Sequence, residues 1–331
     1  MQSTFRAFVV HNDEDGFRSG VEACRMEQLP EGEVTVRVKY SGVNYKDGLA
    51  SIPEGKIVRR YPFIPGIDLA GTVECSLHPS FKEGDEVICT GYELGVSHEG
   101  GYSEYARVKG DWLVPLPAGL SPKEAMAIGT AGFTAALSVA DLIRNGLKPE
   151  HGPVLVTGAT GGVGSFAVSM LSKLGFEVAA ATGKAETQRE WLMNIGAQTV
   201  IPREEAVPAA KGALSSAKWA AVVDPVGGTR LSGLLKQVKY GGAVALSGLT
   251  GGAEFPGAVY PFILRGVKLL GIDSVYCPMD IRREIWGRLA GEWKPVTVLD
   301  SGIREISLNE LPETFERILK GGAVGRTIVS M

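Results

Sequence analysis

The sequence is poor in several features, and each shortage excludes something. Cysteine is scarce, with four residues at positions 24, 75, 89 and 277 of a 331-residue chain. No two of them form a Cys-x-x-Cys pair, and none has the spacing of a structural zinc site. Cys75 and His78 stand three apart in a loop pattern, but two further ligands are missing nearby. Unpaired thiols suit a reducing compartment. No run of eighteen apolar residues occurs, so no membrane span is expected. No block of like charge occurs either, and the net charge is only −3. Neither a nucleic-acid footprint nor a polybasic membrane tether is expected. The opening "MQSTFRAFVVHNDEDG" has a short apolar segment, interrupted by Arg6 and followed by acids. It reads as a first strand and turn rather than a signal peptide, and the expected location is the cytoplasm.

What is present points to two domains. Over the first 120 residues, short alternating runs such as "GEVTVRVKYSGV", "GDEVICTG" and "YSEYARVKGDWLVPLP" are separated by Gly, Pro and Asp. That is the pattern of a small barrel-like β domain. A helical period begins at "LSPKEAMAIGTAGF", where Ser121 and Glu124 have capping-box spacing around Pro122. From 153 to 273, strands such as "PVLVTG", "FEVAAATG", "WAAVVDPVGG", "AVALSGLTGG" and "VKLLGIDSV" alternate with helical stretches, among them "KAETQREWLMNIGA" and "LSGLLKQVKYGG". Such alternation argues for a parallel sheet covered on both faces. Ser307 and Glu310 repeat the capping-box spacing near the C-terminus, and Gly321 suits a helix stop.

The stretch "PVLVTGATGGVGSFAV" carries the chemistry. Ala159, Gly161 and Gly164 have the spacing of G-x-G-x-x-G, with alanine in the first place. A glycine turn between a strand and a helix lets backbone approach a pyrophosphate, and the helix N-terminus faces the phosphates. NAD binders carry an acid at the end of the second strand, about twenty residues further on. Here that place reads Thr182, Gly183 and Lys184, with Arg203 beyond the next strand. A carboxylate would repel an adenosine phosphate, whereas a hydroxyl and cations welcome it. The expected cofactor is NADPH.

The strings "SGVNYKDGLA", "PFIPGIDLAGTV", "GGYSEYARV", "IGTAGFTAAL" and "VTGATGGVG" together resemble the medium-chain dehydrogenase/reductase superfamily over nearly the whole chain. The resemblance implies an α/β fold. A GroES-like β-barrel catalytic domain over 1–125 and 274–331 would accompany a Rossmann-type doubly wound parallel-sheet NADP-binding domain over 126–273. The zinc branch of that superfamily carries ligands where this chain has Asn44, Ile67 and Thr130. An amide, a hydrocarbon and a hydroxyl cannot hold tetrahedral zinc together, so no metal is expected. The longer strings "NYKDGLA", "VKGDWLVPLP" and "PFILRGVKLLGIDSV" are similar to the acryloyl-CoA reductase subfamily within the zinc-independent quinone oxidoreductase branch. That similarity implies NADPH-linked reduction of the acryloyl-CoA double bond. It puts Tyr45 beside the nicotinamide, Thr160, Gly161, Gly162 and Val163 on the pyrophosphate, and Thr182, Gly183, Lys184 and Arg203 at the adenosine phosphate. Thr130, Leu249, Ile263 and Ser274 complete the cofactor set, and Asn44 and Asp68 look like the polar pair of the substrate cleft.

Conjugate reduction needs a hydride donor, hydrogen-bond donors for the carbonyl oxygen and a proton for the α-carbon. Asn44 and Tyr45 offer an amide and a phenol donor, and Asp68 can orient Asn44. Lys56, Arg59 and Arg60 in "EGKIVRRYP" are candidates for docking the CoA phosphates. Two other readings stand beside this one: an NADPH:quinone oxidoreductase, and a dinucleotide-binding protein without catalysis. The final strand of the dinucleotide sheet, "VKLLGIDSV", would be an apolar edge, and a homodimer paired there is expected.

Overall fold

The structure, a computed structural model, describes residues 4–207 and 212–331. The first three residues of the expected N-terminal strand lie outside them. Contacts divide the chain into two units. One holds the residues up to Thr130 with Val275–Ala290 and Gly302–Met331, and the other holds Ala131–Ser274 with Gly291–Ser301. From sequence, all of 274–331 is expected with the first domain. In the structure, Gly291–Ser301 packs with the second unit. Thr297 Oγ1 lies 3.1 Å from Ser169 Oγ there, and Lys173 Nζ donates to the Lys294 carbonyl at 3.0 Å.

The first unit opens with an antiparallel hairpin, β1 (Thr4–Asp13) and β2 (Gly16–Arg25). Its turn is closed by the Asp15 N–H donating to Asp13 Oδ1 at 3.1 Å and by Gly16 at φ 95°. A larger sheet follows, from β3 (Val34–Gly42), β4 (Asp68–Ser76), β5 (Glu86–Thr90), β6 (Tyr105–Val108), β7 (Leu113–Pro115), β14 (Ile303–Ile306) and β15 (Arg326–Ser330). Its order is β14-β15-β3-β4-β5-β7, with β6 also paired to β3. Along β3, Val34, Val36 and Val38 are buried while Arg37 and Lys39 point out, the period of two expected of a half-buried strand. The valines pack with Leu69, Val73, Val87 and Leu113. Each such burial contributes about 1.5–3 kcal/mol. This is the β-rich first domain the sequence implied. The terminal strand β15 lies antiparallel to β3, with Ile328 opposite Gly42.

The second unit is built on β8 (Val154–Val156), β9 (Val178–Thr182), β10 (Thr199–Pro202), β11 (Trp219–Asp224), β12 (Val238–Leu246) and β13 (Lys268–Gly271). The order is β10-β9-β8-β11-β12-β13, and the pairs are parallel. Every residue of β8 and β11 is buried, as in strands covered on both faces. The order is that of the doubly wound dinucleotide fold. β13 is an edge, as expected.

Helix α2 (Pro122–Arg144) begins with the anticipated capping box. The Ser121 N–H donates to Glu124 Oε2 at 2.8 Å, and the Glu124 N–H to Ser121 Oγ at 3.2 Å. Gly129, at φ 49°, breaks its helical path. Among the described residues α2 is long and apolar enough to cross a membrane, but 83% of its apolar window is buried in the protein, as in a core helix. Two expected helices are shorter than their patterns. In "KAETQREWLMNIGA" only Arg189–Asn194 is helical, because Lys184 turns back to donate its N–H to Thr182 Oγ1 at 3.2 Å. In "LSGLLKQVKYGG" the helix stops at Leu235, and Val238 already pairs with Trp219 in the sheet.

Candidate active site

In the second unit, β8 runs into the glycine turn and then into α3 (Gly162–Lys173), with Gly161 as its N-cap. Gly158 takes φ 54°. A Cβ at Gly164 would overlap the Gly158 carbonyl oxygen, so only glycine lets the helix start this close to the turn. The first N–H groups of α3 have no partners within the helix and make an anion cradle. Thr157 Oγ1 donates to the buried Asp224 at 2.5 Å. Asp224 also accepts from the Val226 and Gly227 N–H groups, fixing the β11 loop beside the turn. Burial pushes the Asp224 carboxyl up, and these donors oppose that rise.

Thr160 and Thr182, both buried, meet hydroxyl to hydroxyl at 3.0 Å. Pro202 pairs with Thr182 across β10 and β9, which delivers Arg203 to the same strand end. The guanidinium lies over Gly183, where an added Cβ would sit 3.2 Å from its Cζ. Thr182, Gly183 and Arg203 therefore converge, and Lys184 follows directly. Sequence reasoning missed two neighbours. Arg230 donates to the Arg203 carbonyl at 2.7 Å, and Glu204 pairs with Arg203 at 2.8 Å. No spacing in "VGGTR" signals the arginine.

Leu249 is 61% exposed on a loop that packs on Pro225–Gly228, the loop that also touches Gly158. Ile263 is 69% exposed on the helix Tyr260–Arg265, which packs on β12, and no described contact brings it to the glycine turn. Ser274 is half-buried just beyond β13.

In the first unit a buried polar cluster forms where β3, β4, α2 and β15 meet. Asp68, fully buried, opens β4. Asn44 precedes the short helix α1 (Tyr45–Ala50) and donates through Nδ2 to Asp68 Oδ2 at 2.8 Å. Thr130 donates its N–H to Asp68 Oδ2 at 3.0 Å and its hydroxyl to Oδ1 at 2.5 Å. That hydroxyl, expected on the cofactor, donates a hydrogen bond to Asp68. Arg326, the first residue of β15, brings Nη2 to 3.5 Å from Asp68 Oδ2. Its Nη1 donates to Asn44 Oδ1 at 3.0 Å and to the Val43 carbonyl at 2.6 Å. Below lies Asp47, also fully buried, which accepts from the Asn44 N–H at 2.8 Å and the Ile67 N–H at 2.9 Å. Burial first, and then the charge of Asp68, push its carboxyl up to about 7. Burial holds the Tyr102 phenol well above its ordinary range, and lowers the Arg326 guanidinium against the pull of Asp68. Arg326, Asp47 and Tyr102 were not singled out from sequence. The arginine lies 282 residues from Asn44, and no local spacing announces such a pair.

Tyr45 is half-buried at the start of α1, and its hydroxyl has no hydrogen-bond partner among the described residues. Of the three cations proposed for CoA, Arg60 pairs with Glu99 at 2.7 Å, while Lys56 and Arg59 are exposed.

A doubly wound dinucleotide sheet and a GroES-like β domain with a buried polar cluster define a dinucleotide-dependent oxidoreductase. Residues 30–118 match the family described as alcohol dehydrogenase GroES-like domain, and residues 162–289 the one described as zinc-binding dehydrogenase. The chain is 56% identical over 331 residues to YhfP of Bacillus subtilis, a protein that carries the provisional name quinone oxidoreductase; all of both chains is covered. The solved structure of YhfP, with NAD bound, superposes with a TM-score of 0.96 at 55% identity over both full chains. Acrylyl-CoA reductase AcuI of Ruegeria pomeroyi is 51% identical over 329 residues, 99% of each chain. The structure of YhdH from E. coli K-12 with bound NADPH matches with a TM-score of 0.94 at 46% identity, covering 98% of this chain and 99% of that one. The chain belongs to the medium-chain dehydrogenase/reductase family, in the branch that holds YhfP and AcuI.

One matched family description implies zinc. The donor set does not fit it. Asn44 and Thr130 are both hydrogen-bonded to Asp68, the Ile67 side chain carries no ligating atom, Arg326 faces Asp68, and Asp47 is taken up by the Asn44 and Ile67 N–H groups.

Proposed function

We propose that this chain is an NADPH-dependent reductase of double bonds conjugated to a carbonyl, with acryloyl-CoA as substrate. Acryloyl-CoA, NADPH and a proton give propanoyl-CoA and NADP+. Bound NADPH supplies the hydride. The residues that would hold it are Thr160, Gly161, Gly162 and Val163 at the pyrophosphate, and Thr182, Gly183, Lys184 and Arg203 at the adenosine phosphate. Leu249, Ile263 and Ser274 remain assigned to the nicotinamide side on the resemblance alone. The glycine turn suits a dinucleotide because the absence of a Cβ at Gly164 lets α3 start directly against the Gly158–Ala159 backbone, which brings its N-terminus to the turn.

The observation that carries the reading is the Asn44 amide. One of its N–H groups is taken by Asp68, and the other has no partner among the described residues. It is free to donate to the substrate carbonyl as negative charge builds there. A well-placed donor of this kind lowers the barrier by about 3 kcal/mol. Tyr45, with its free hydroxyl, delivers the proton to the α-carbon directly or through a water it holds. Lys56 and Arg59 meet the CoA phosphates. Four free cysteines suit a cytoplasmic enzyme, and the unpaired edge of β13 suits a homodimer.

The relationship to YhfP favours a second reading, an NADPH:quinone oxidoreductase. Steady-state turnover of acryloyl-CoA and of a simple quinone, each with NADPH and NADH, decides between them. The first reading requires the highest kcat/KM for acryloyl-CoA with NADPH. A higher value for the quinone overturns it, and no oxidation of NADPH with any acceptor reduces the protein to a dinucleotide binder.

A further inference from the structure

We propose that Arg326 is a positioning residue: with Asp68 it locks the Asn44 carboxamide in the one orientation that turns an N–H, rather than the oxygen, toward the substrate carbonyl. This rests on the reading of Asn44 as the carbonyl donor. A primary amide can rotate by half a turn and present either edge. Here both edges are held. Nδ2 donates to Asp68 Oδ2 at 2.8 Å, and Oδ1 accepts from Arg326 Nη1 at 3.0 Å. The rotated amide would set oxygen against carboxylate and NH2 against guanidinium, two repulsive contacts in a buried place. Asp68 alone opposes the rotation on one edge only, and Arg326 supplies the other.

The arginine is itself fixed. Its Nη1 also donates to the Val43 carbonyl at 2.6 Å and its Nε to the Ala127 carbonyl at 3.1 Å, so its plane is set by backbone just past β3 and in α2. It is 4% exposed, and its charge is balanced by Asp68. Two glycines make the close approach possible. A Cβ at Gly42 would lie 2.7 Å from both Arg326 Nη2 and Asp68 Oδ2, and one at Gly129 would lie 2.7 and 2.5 Å from them. The family likeness to zinc-using enzymes does not account for this grouping, because neither Asn44 nor Thr130 is left to bind an ion.

The test uses the full-length enzyme with NADPH and acryloyl-CoA. Arg326→Lys, Arg326→Met and Asn44→Ala are compared for kcat, KM, NADPH affinity by nicotinamide fluorescence, and thermal melting. Arg326→Met is expected to lower kcat about a hundredfold. The KM for acryloyl-CoA and the Kd for NADPH stay within about threefold, a split that a general loosening of the fold would not give. Arg326→Lys keeps the charge and recovers part of kcat. If Arg326→Met does not fold, Arg326→Lys decides, since Asp68 keeps its counter-ion. A folded Arg326 variant with wild-type kcat, alongside an inactive Asn44→Ala, overturns the positioning role. A loss seen in NADPH affinity instead of kcat overturns it too, and makes the arginine a cofactor ligand. Full turnover in Asn44→Ala removes the underlying donor reading instead.

Discussion

The hydroxyls of Thr160 and Thr182 lie 3.0 Å apart, tying the glycine turn to the end of the second strand. The residues after that strand end therefore stand next to whatever the turn holds. Arg203 covers Gly183 there, and an acid introduced at 183 would take the arginine for itself and repel a phosphate. Gly183→Asp is expected to lower kcat/KM for NADPH about tenfold while leaving NADH nearly unchanged. Cofactor preference measured with both dinucleotides checks this. An unaltered preference would place the adenosine phosphate elsewhere.

The glycines around Asp68 make a second prediction. Gly42→Ala and Gly129→Ala each force a methyl between Asp68 and Arg326. Overpacking of this kind costs about 1–3 kcal/mol. Gly129→Ala adds strain from φ 49°. Gly287, inside a helix with nothing within 4 Å of an added Cβ, is the control, and its alanine variant stabilises by up to about 1 kcal/mol. Urea midpoints read the difference. Equal midpoints in all three variants would mean the cluster has slack.

The glycine turn, its helix and the cation-bearing strand end could be read from sequence because they are local. Strand, turn and helix follow one another within "PVLVTGATGGVGSFAV", and Gly183 and Lys184 come directly after β9. The polar pair Asn44 and Asp68 was legible only through the resemblance of its flanking strings. Arg326 was not legible at all. Its partners lie just past β3, at the start of β4 and in α2, and β15 comes to them by pairing with β3. The two shortened helices failed for another reason. Their apolar periodicity is real, but a hydroxyl acceptor at Thr182 and a strand partner at Trp219 compete for the same backbone.

Asp47 gives the fold a pH dependence. Its carboxyl rises from 3.8 to about 7, by burial first and by the charge of Asp68 second. Between about pH 4 and 7 the native chain keeps a proton that the unfolded chain has released, so stability falls as pH rises through that window and then levels off. Asp47→Asn removes this component, at a constant cost of about 1–3 kcal/mol for a mismatched buried hydrogen bond. Urea midpoints at pH 5, 6, 7 and 8 are compared for wild type and variant. Parallel curves would show that Asp47 ionises at its ordinary pH.

The basic loop after α1 separates docking from chemistry. Arg60 already pairs with Glu99, whereas Arg59 is exposed. Arg59→Glu is expected to raise the KM for acryloyl-CoA about tenfold and to leave a small enone unaffected. Arg60→Glu also frees Glu99 and should act on both substrates or neither. An equal KM change for the two substrates in Arg59→Glu would remove CoA docking from this loop.

The last prediction concerns the edge of the dinucleotide sheet. β13 has one free side, and next to it the helix Tyr260–Arg265 carries Tyr260, Ile263 and Leu264 at 47%, 69% and 54% exposure. An apolar group beside unpaired backbone is what a second copy of the chain would cover. Wild type is expected to sediment at twice 35.1 kDa. Ile263→Glu costs little in a monomer, because the side chain already faces solvent, but it puts two charges into the apolar surface that a second copy would cover and is expected to sediment at 35.1 kDa. NADPH affinity measured on the same variant separates the two roles open to Ile263. A monomer with unchanged affinity assigns the residue to the interface, a dimer with weakened affinity assigns it to the nicotinamide, and a dimer with unchanged affinity removes it from both.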